Sequence, residues 1–383
     1  MRYLDDPPFA DQPPLFSILI IGTRNAGKTS FLEFLKTSLA LPPKKRSKMT
    51  MDQDDFVPKA PPSGNFIPHY LETEIDGERI GLTLWDSEGL EKNVVDLQLR
   101  EMSSFLESKF EETFAEEMKV IRSPGVQDTH IHAAFLVLDP ARLDRNIAAS
   151  KAASPNGQNG AHYVPARVLG GLDEDLDLQV LRTLQAKTTV IPVISKADTI
   201  TTKHMNVLKK TVWDSLKKAN LDPLEPLGLD EDDEGTPDSS RIEEEVEEED
   251  EEVDSGHSDG DGPTDDEFPI QGRDSSPKSK RVSSSGSVRR TKPSSDESPK
   301  EDEVPYVPMS IISPDIYEPS VVGRQFPWGF ADPYNELHCD FLRLKDTVFS
   351  EWRGDLREAS REQWYEGWRT SRLKQRDGFK VRR

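Results

Sequence analysis

The chain has 383 residues, 34% of them apolar, a formal charge of −22 and a single cysteine. That length suits one large domain or two ordinary ones, and the lone Cys339 excludes an intramolecular disulfide and fits a reducing compartment. The acidity has a local source, because residues 230–270 hold 21 acidic side chains and one arginine, leaving about −2 for the remainder. No cysteine and histidine cluster offers zinc spacing, and no apolar run is long enough to span a bilayer. The start, MRYLDDPPFADQPP, lacks a basic-then-apolar leader, so the expectation is a soluble, intracellular protein.

Residues 1–14 are proline-rich and polar and read as a flexible lead. The organising stretch follows at residues 15–35, LFSILIIGTRNAGKTSFLEFL. Its apolar run, interrupted by Ser17 alone, predicts a parallel strand covered on both faces. Gly22-Thr23-Arg24-Asn25-Ala26-Gly27-Lys28-Thr29 then fits G-x-x-x-x-G-K-[ST], with Ser30 continuing into a helix marked by Phe31, Leu32, Phe34, Leu35 and Leu39. In that motif backbone N–H groups wrap phosphates, Lys28 faces the β- and γ-oxygens, and the Thr29 hydroxyl holds Mg²⁺ at the positive end of the helix dipole.

Residues 41–64 carry five prolines and a basic cluster, Lys44-Lys45-Arg46, and read as a long mobile loop where a P-loop GTPase keeps its first switch. Residues 66–75 and 80–85, joined by a turn starting Asp76-Gly77, predict an antiparallel hairpin. The hairpin leads into Asp86-Ser87-Glu88-Gly89, a D-x-x-G in which Asp86 would reach Mg²⁺ through water and Gly89 would offer its N–H to a γ-phosphate. A helix over 94–120 and a buried strand over 131–138 follow. His130 and His132 are expected on the solvent side or as satisfied structural residues, since nothing nearby pairs with them as a triad would. Residues 141–170 read as an insertion, 173–184 as a helix, and 188–194 as a strand ending in Ser195-Lys196-Ala197-Asp198. An x-K-x-D there lays the lysine stem along a purine and aims a carboxylate at the two guanine N–H groups that adenine cannot supply, which selects GTP over ATP. After a helix near 203–219, residues 229–303 turn acidic and then Ser-rich and basic, too polar to bury a core, and are expected to be disordered. Order resumes at 304 with VPMSII, then GRQFPWG and a helical stretch through Phe341, Leu344, Val348 and Trp352. No leucine heptad follows, so a coiled coil is not expected.

With these residues in view the chain resembles the septins. Two blocks carry the similarity beyond general GTPase motifs: VIPVISKADTIT, and GRQFPWG followed by HCDFLRLKDTVF and DLRE. The resemblance implies an α/β fold, a P-loop GTPase of three α/β/α layers with a mostly parallel sheet, completed by the septin unique element and C-terminal helices and interrupted by a long acidic insertion. It divides the chain into a lead (1–14), a GTPase domain (15–228), the insertion (229–303), a last strand with unique element and helices (304–373), and a basic tail (374–383). Nucleotide contacts are implied for Gly22, Arg24, Asn25, Ala26, Gly27, Lys28, Thr29, Ser30, Asp86, Gly89, Lys196, Asp198 and Arg324. Thr29 and Asp86 are implied at Mg²⁺, Trp328 at the nucleotide-side interface, and the nucleotide is GTP or GDP.

Departures bear on catalysis. Asn25 stands where septin P-loops usually carry glycine, Ser195 replaces an alanine, and Glu88 puts a carboxylate near the expected γ-phosphate, disfavouring a triphosphate. Leu90 stands where Ras-like enzymes orient water with Gln. The hydrolytic threonine of active septins falls near Ser63, and Asp177 keeps an acidic family position while Gly170-Gly171 replace the histidine expected upstream. Two readings follow: a guanine-nucleotide-binding structural subunit of hetero-oligomeric filaments in cytoskeletal scaffolding and cell division, or a slow GTPase whose turnover switches assembly. The implied partners are other septin subunits, through the nucleotide-side and terminal-helix faces, because two faces that do not close a ring build open polymers. An anionic membrane surface would be met by residues 44–48 or 369–383. Nucleic acid is not implied, and the implied place is the cytoplasm, at the cortical cytoskeleton or septum.

Overall fold

Residues 13–41, 65–119, 128–152, 168–228, 304–315, 317 and 321–380 are described by the computed structural model, for 375–380 by the backbone alone. All of them belong to one unit, residues 1–232 with 302–383, and the other unit, 233–301, lies outside the described residues. The predicted insertion 229–303, the lead before Pro13 and the loop 42–64 with Ser63 and the 44–48 basic cluster likewise lie outside them.

Four apolar strands make the middle of a six-stranded sheet of order β2-β3-β1-β4-β7-β8. These are β1 (Leu15–Gly22), β3 (Glu78–Ser87), β4 (Ala133–Leu138) and β7 (Thr189–Ile194). Every residue of β4 and β7 is buried, as a strand covered on both faces requires. β8 (Met309–Ser310) closes one edge in parallel with β7, and β2 (Phe66–Ile75) closes the other as the single antiparallel member, folded back on β3. The turn at Asp76-Gly77 adopts positive φ at both residues, 52° and 78°, as a tight two-residue hairpin demands.

Strand alternation distributes the helices. Phe66 and Trp85 face α2 (Val95–Glu117), where Phe105 stacks on Phe66 at 4.3 Å and meets Trp85 edge-on at 4.9 Å. Asp86 and His69 point to the opposite face, beneath α1 (Lys28–Leu39), whose Phe31 meets Phe135 of β4 edge-on at 5.4 Å. Part of the predicted insertion at 141–170 is helical: α3 (Pro140–Ala152) follows β4 directly. A two-residue pairing of β5 (Val168–Leu169) with β6 (Leu172–Asp173) then leads into α4 (Gln179–Leu184). The Ala- and Asn-rich composition concealed α3 because few of its residues, Pro140 and Leu143, are buried.

α5 (Thr202–Lys218) precedes the insertion. Beyond it β9 (Arg324–Phe326) and β10 (Gly329–Ala331) form a small hairpin, followed by α6 (Phe341–Asp346), α7 (Arg353–Ala359) and α8 (Glu366–Lys380), joined by π turns. α8 continues past the expected boundary at 374. The last strand and these helices are tied together by Asp340: its Oδ2 accepts from Ser310 N and Oγ, both at 2.6 Å, and from Lys209 Nζ of α5, while Arg343 reaches Oδ1 at 2.9 Å. Burial alone would raise this carboxyl's pKa, yet Lys209 and Arg343 hold it below the usual value.

Candidate nucleotide site

The carboxyl ends of the parallel strands β1, β3, β4 and β7 lie together, and four loops leave the sheet there. In open α/β sheets this is the end where ligands bind. The first loop runs from Gly22 to Lys28. A Cβ on Gly22 would lie 2.6 Å from the Val137 carbonyl oxygen, so β1 and β4 can be this close only without a side chain there. Asn25 and Gly27 turn the chain with φ of 63° and 94°. Lys28 is buried at the start of α1, and its Nζ donates to the carbonyl oxygens of Gly22 and Thr23 at 3.1 Å each. Burial draws its pKa below the usual value, against the pull of Asp86 and Glu88. Arg24, Asn25 and Thr29 are exposed at the rim, and Ser30 is half-buried.

The D-x-x-G segment packs against this loop. Ser87 Oγ donates to the Ile20 carbonyl at 2.7 Å, Leu90 N donates to Gly22 O at 3.0 Å, and Arg24 N reaches Leu90 O at 3.4 Å. Gln98 of α2 clamps the segment from outside, donating to Gly89 O at 3.1 Å and accepting from Glu91 N at 3.0 Å. Gly89 is forced by closeness: a Cβ would lie 2.8 Å from Arg24 Cα. Asp86 sits below Lys28, and burial raises its pKa despite Lys28 and His69. Its Oδ1 is buried with no hydrogen-bond partner among the described residues.

The β7 loop completes the arrangement. Lys196 takes a left-handed conformation (φ 53°), and its Nζ donates to Asn25 O at 2.7 Å and to Asp139 Oδ1 at 2.9 Å. Ser195 Oγ lies 2.5 Å from Ala26 O. Asp198, its side chain 1% exposed, accepts from Arg324 Nη1 of β9 at 2.9 Å through Oδ2, while Oδ1 is buried and unpartnered among the described residues. Arg324 thus stands at the base loop although 126 residues separate it from Asp198. On the same hairpin Trp328 is 81% exposed, its ring stacked on Phe326 at 5.2 Å.

The sequence-predicted residues Gly22 to Ser30, Asp86, Gly89, Lys196, Asp198 and Arg324 therefore share one end of the sheet, with Trp328 on the adjoining hairpin, while Ser63 lies outside the described residues. Asp177 is occupied elsewhere: buried, it receives both Nη atoms of Arg142 at 2.7 and 2.5 Å. Both histidines are buried, not solvent-facing. His132 is satisfied, accepting from Ser17 N at 3.0 Å and bonding Asp128 at 2.9 Å. His130 has no partner for either ring nitrogen among the described residues and is packed between Phe110 and Tyr365. Sequence reasoning missed Asp139, Gln98 and the Ser195 hydroxyl. Asp139, a lone carboxylate ending the apolar run of β4, carried a readable signal, whereas Gln98 is one polar residue on a helix and carried none.

The donors and acceptors suit a phosphate beside Lys28 and a base at Asp198. The loop places backbone amides and an ammonium at a helix start, where an anion is favoured. Two carboxylate oxygens, Asp86 Oδ1 and Asp198 Oδ1, are buried without a hydrogen-bond partner among the described residues, and a buried acceptor left unpaired costs roughly 1–3 kcal/mol. Thr29 and Asp86 have the hard oxygen donors that Mg²⁺ takes together with phosphate oxygens. Among the described residues there is no group of three or more His, Cys, Asp or Glu that could hold a metal without such help.

A family model described as Septin matches residues 169–250 and 291–381. The chain is 21% identical over 365 residues to the neuronal-specific septin-3 of Homo sapiens, covering 95% of this chain and 76% of that one. The Septin homolog spn3 of Schizosaccharomyces pombe is also 21% identical, over 93% of this chain and 72% of its own. Among solved structures, the septin GTPase domain of Chlamydomonas reinhardtii aligns over 94% of this chain and 99% of its own with a TM-score of 0.48 and 15% identity. The matched blocks contain the base loop, β9, the hairpin tryptophan and the terminal helices. The chain belongs to the septin family of GTP-binding cytoskeletal proteins, as a divergent member.

Proposed function

We propose that the chain is a guanine-nucleotide-binding structural subunit of hetero-oligomeric septin filaments, acting in cytoskeletal scaffolding and cell division, with hydrolysis weak or absent. The observation that carries this reading is the pair Asp198 and Arg324: a buried carboxylate with one oxygen held by the guanidinium and the other open, at the loop that faces the phosphate cradle. Guanine offers two N–H donors to such a carboxylate and adenine does not. In this reading GTP or GDP, with Mg²⁺ at Thr29 and Asp86, supplies the charge that Lys28 and the loop amides meet.

Scaffolding is favoured over turnover by what surrounds the cradle. Leu90 is buried, and its peptide is spent on Gly22 and Arg24, so that position offers no group to orient a water. The hairpin that carries Arg324 and the segment after it expose Trp328, Phe330, Tyr334 and Leu337, the last 80% exposed, an apolar surface suited to a neighbouring subunit. The terminal-helix face would carry the second contact of an open polymer. Among the described residues no helix is long and apolar enough to cross a membrane, so contact with an anionic membrane would be peripheral, through basic side chains.

Denaturing the purified chain and analysing what it releases tests the reading. Guanine nucleotide without adenine nucleotide is expected, with no phosphate produced in a single-turnover assay and with association lost in Trp328→Ala by light scattering. Release of ATP, or a monomer that carries no nucleotide, sinks it. Phosphate release that Ser63→Ala abolishes would instead favour the slow GTPase.

A further inference from the structure

We infer that Ser195 is a positioning residue that latches the phosphate loop to the base-recognition loop and thereby sets how long a nucleotide is retained. Its side chain is 1% exposed, and its Oγ lies 2.5 Å from the Ala26 carbonyl oxygen and 3.1 Å from that of Leu138. Leu138 O already accepts from the Ser195 backbone N–H at 3.0 Å, and a hydroxyl has one proton, so that proton goes to Ala26. The bond joins residues 169 apart in sequence.

What the latch holds is a direction. A trans peptide is planar, with C=O and N–H pointing opposite ways, so drawing Ala26 O toward Ser195 turns the Gly27 N–H away from the base loop. Gly27 is the residue before Lys28 opens α1, where amide direction decides whether an anion is met. The neighbouring peptide is held in the same way, by Lys196 Nζ on Asn25 O. Two successive carbonyls of the phosphate loop are therefore gripped by two successive residues of the base loop. The grip has work to do here because Asn25 is a non-glycine residue at φ 63°, a conformation L-residues adopt at a cost. Gly27 itself leaves just enough space: a Cβ there would lie 3.5 Å from Ser195 Cβ.

The retention part of this inference rests on the guanine-nucleotide reading, whereas the latch does not, and the test separates them. Amide hydrogen exchange across residues 24–28 is measured on the full chain stripped of nucleotide, alongside release of a fluorescent GDP analogue. Removing one neutral hydrogen bond should speed both by up to about tenfold in Ser195→Ala, with a smaller rise in Ser195→Cys, whose thiol donates weakly. In the Asn25→Gly background, where the left-handed turn is unstrained, the effect of Ser195→Ala should shrink, a non-additivity expected of coupled neighbours. Unchanged exchange in a folded Ser195→Ala, or strictly additive effects, overturns the latch. Exchange that responds in a chain that does not bind the GDP analogue leaves the latch standing and defeats the nucleotide reading.

Discussion

Two polar clusters, one at the loop end of the sheet and one at the seam where the last strand meets the terminal helices, are built from similar residues and finished differently. At the seam, both oxygens of Asp340 are taken, by Ser310, Lys209 and Arg343. At the loop end, Lys28 rests on two backbone carbonyls, while Asp86 and Asp198 each keep one oxygen unpaired among the described residues. A buried network is stable when every member is satisfied and costly when it is not. The same chain that closes the first cluster leaves the second incomplete, with one unpaired oxygen on β3 and one on the loop after β7. His130 shows that an orphaned atom alone does not mark a site: its nitrogens are also unpartnered among the described residues, and the rings of Phe110 and Tyr365 pack against it.

The sharpest way to break this contrast is a matched pair of neutralising substitutions. Asp340→Asn leaves Lys209 and Arg343 facing an uncharged amide and is expected to lower unfolding stability by roughly 3 kcal/mol in urea titration. Asp86→Asn, at a carboxyl whose pKa burial already raises, should change the nucleotide-free fold by less than about 1 kcal/mol. Equal losses would show the two clusters to be alike.

Acid titration comes next. Burial pushes His130 down to about 4, against the neighbouring Asp128 and with His132 and Arg361, while the unfolded ring titrates near 6.5. Stability from the neutral ring is therefore complete above pH 6.5 and is lost as pH falls through 6.5 toward 4, by up to about 3 kcal/mol. His130→Phe should flatten that limb of the profile in thermal melts. Asp340 and Asp128, both held below the usual carboxylate value, give up their contributions at lower pH still, so the His130 window stands apart. A limb that survives in His130→Phe would refute the assignment.

The smallest expected effect concerns the third phosphate. Glu88 acts on Lys28 from an exposed position, so Glu88→Gln should raise the affinity for a non-hydrolysable GTP analogue relative to GDP by about threefold, as one screened charge allows. An unchanged ratio in competition binding would remove Glu88 from nucleotide discrimination.

Much of the loop end was legible because local sequence dictates it. An apolar run followed by glycines and Lys28 can form little else than a strand, a tight turn and a helix start, and Asp76-Gly77 forces its hairpin. Less was legible where composition and packing disagree. α3 hides in an Ala- and Asn-rich stretch because few of its residues are buried, and the seam at Asp340 depends on Lys209, 131 residues away. The two histidines two residues apart looked alike in sequence and differ in the fold, since one meets Asp128 and a backbone amide and the other meets rings.

By itself the sequence determined the strand-loop-helix core, the motif order and the family, because periodicity, glycine placement and short-range chemistry are written in neighbouring residues. Only the tertiary structure decided which carboxylates are closed and which stay open, that Arg324 lies on Asp198, and that Ser195 grips Ala26. Those outcomes depend on where loops from distant strands end when the sheet assembles, and hydrogen-bond satisfaction at such distances has no local signature.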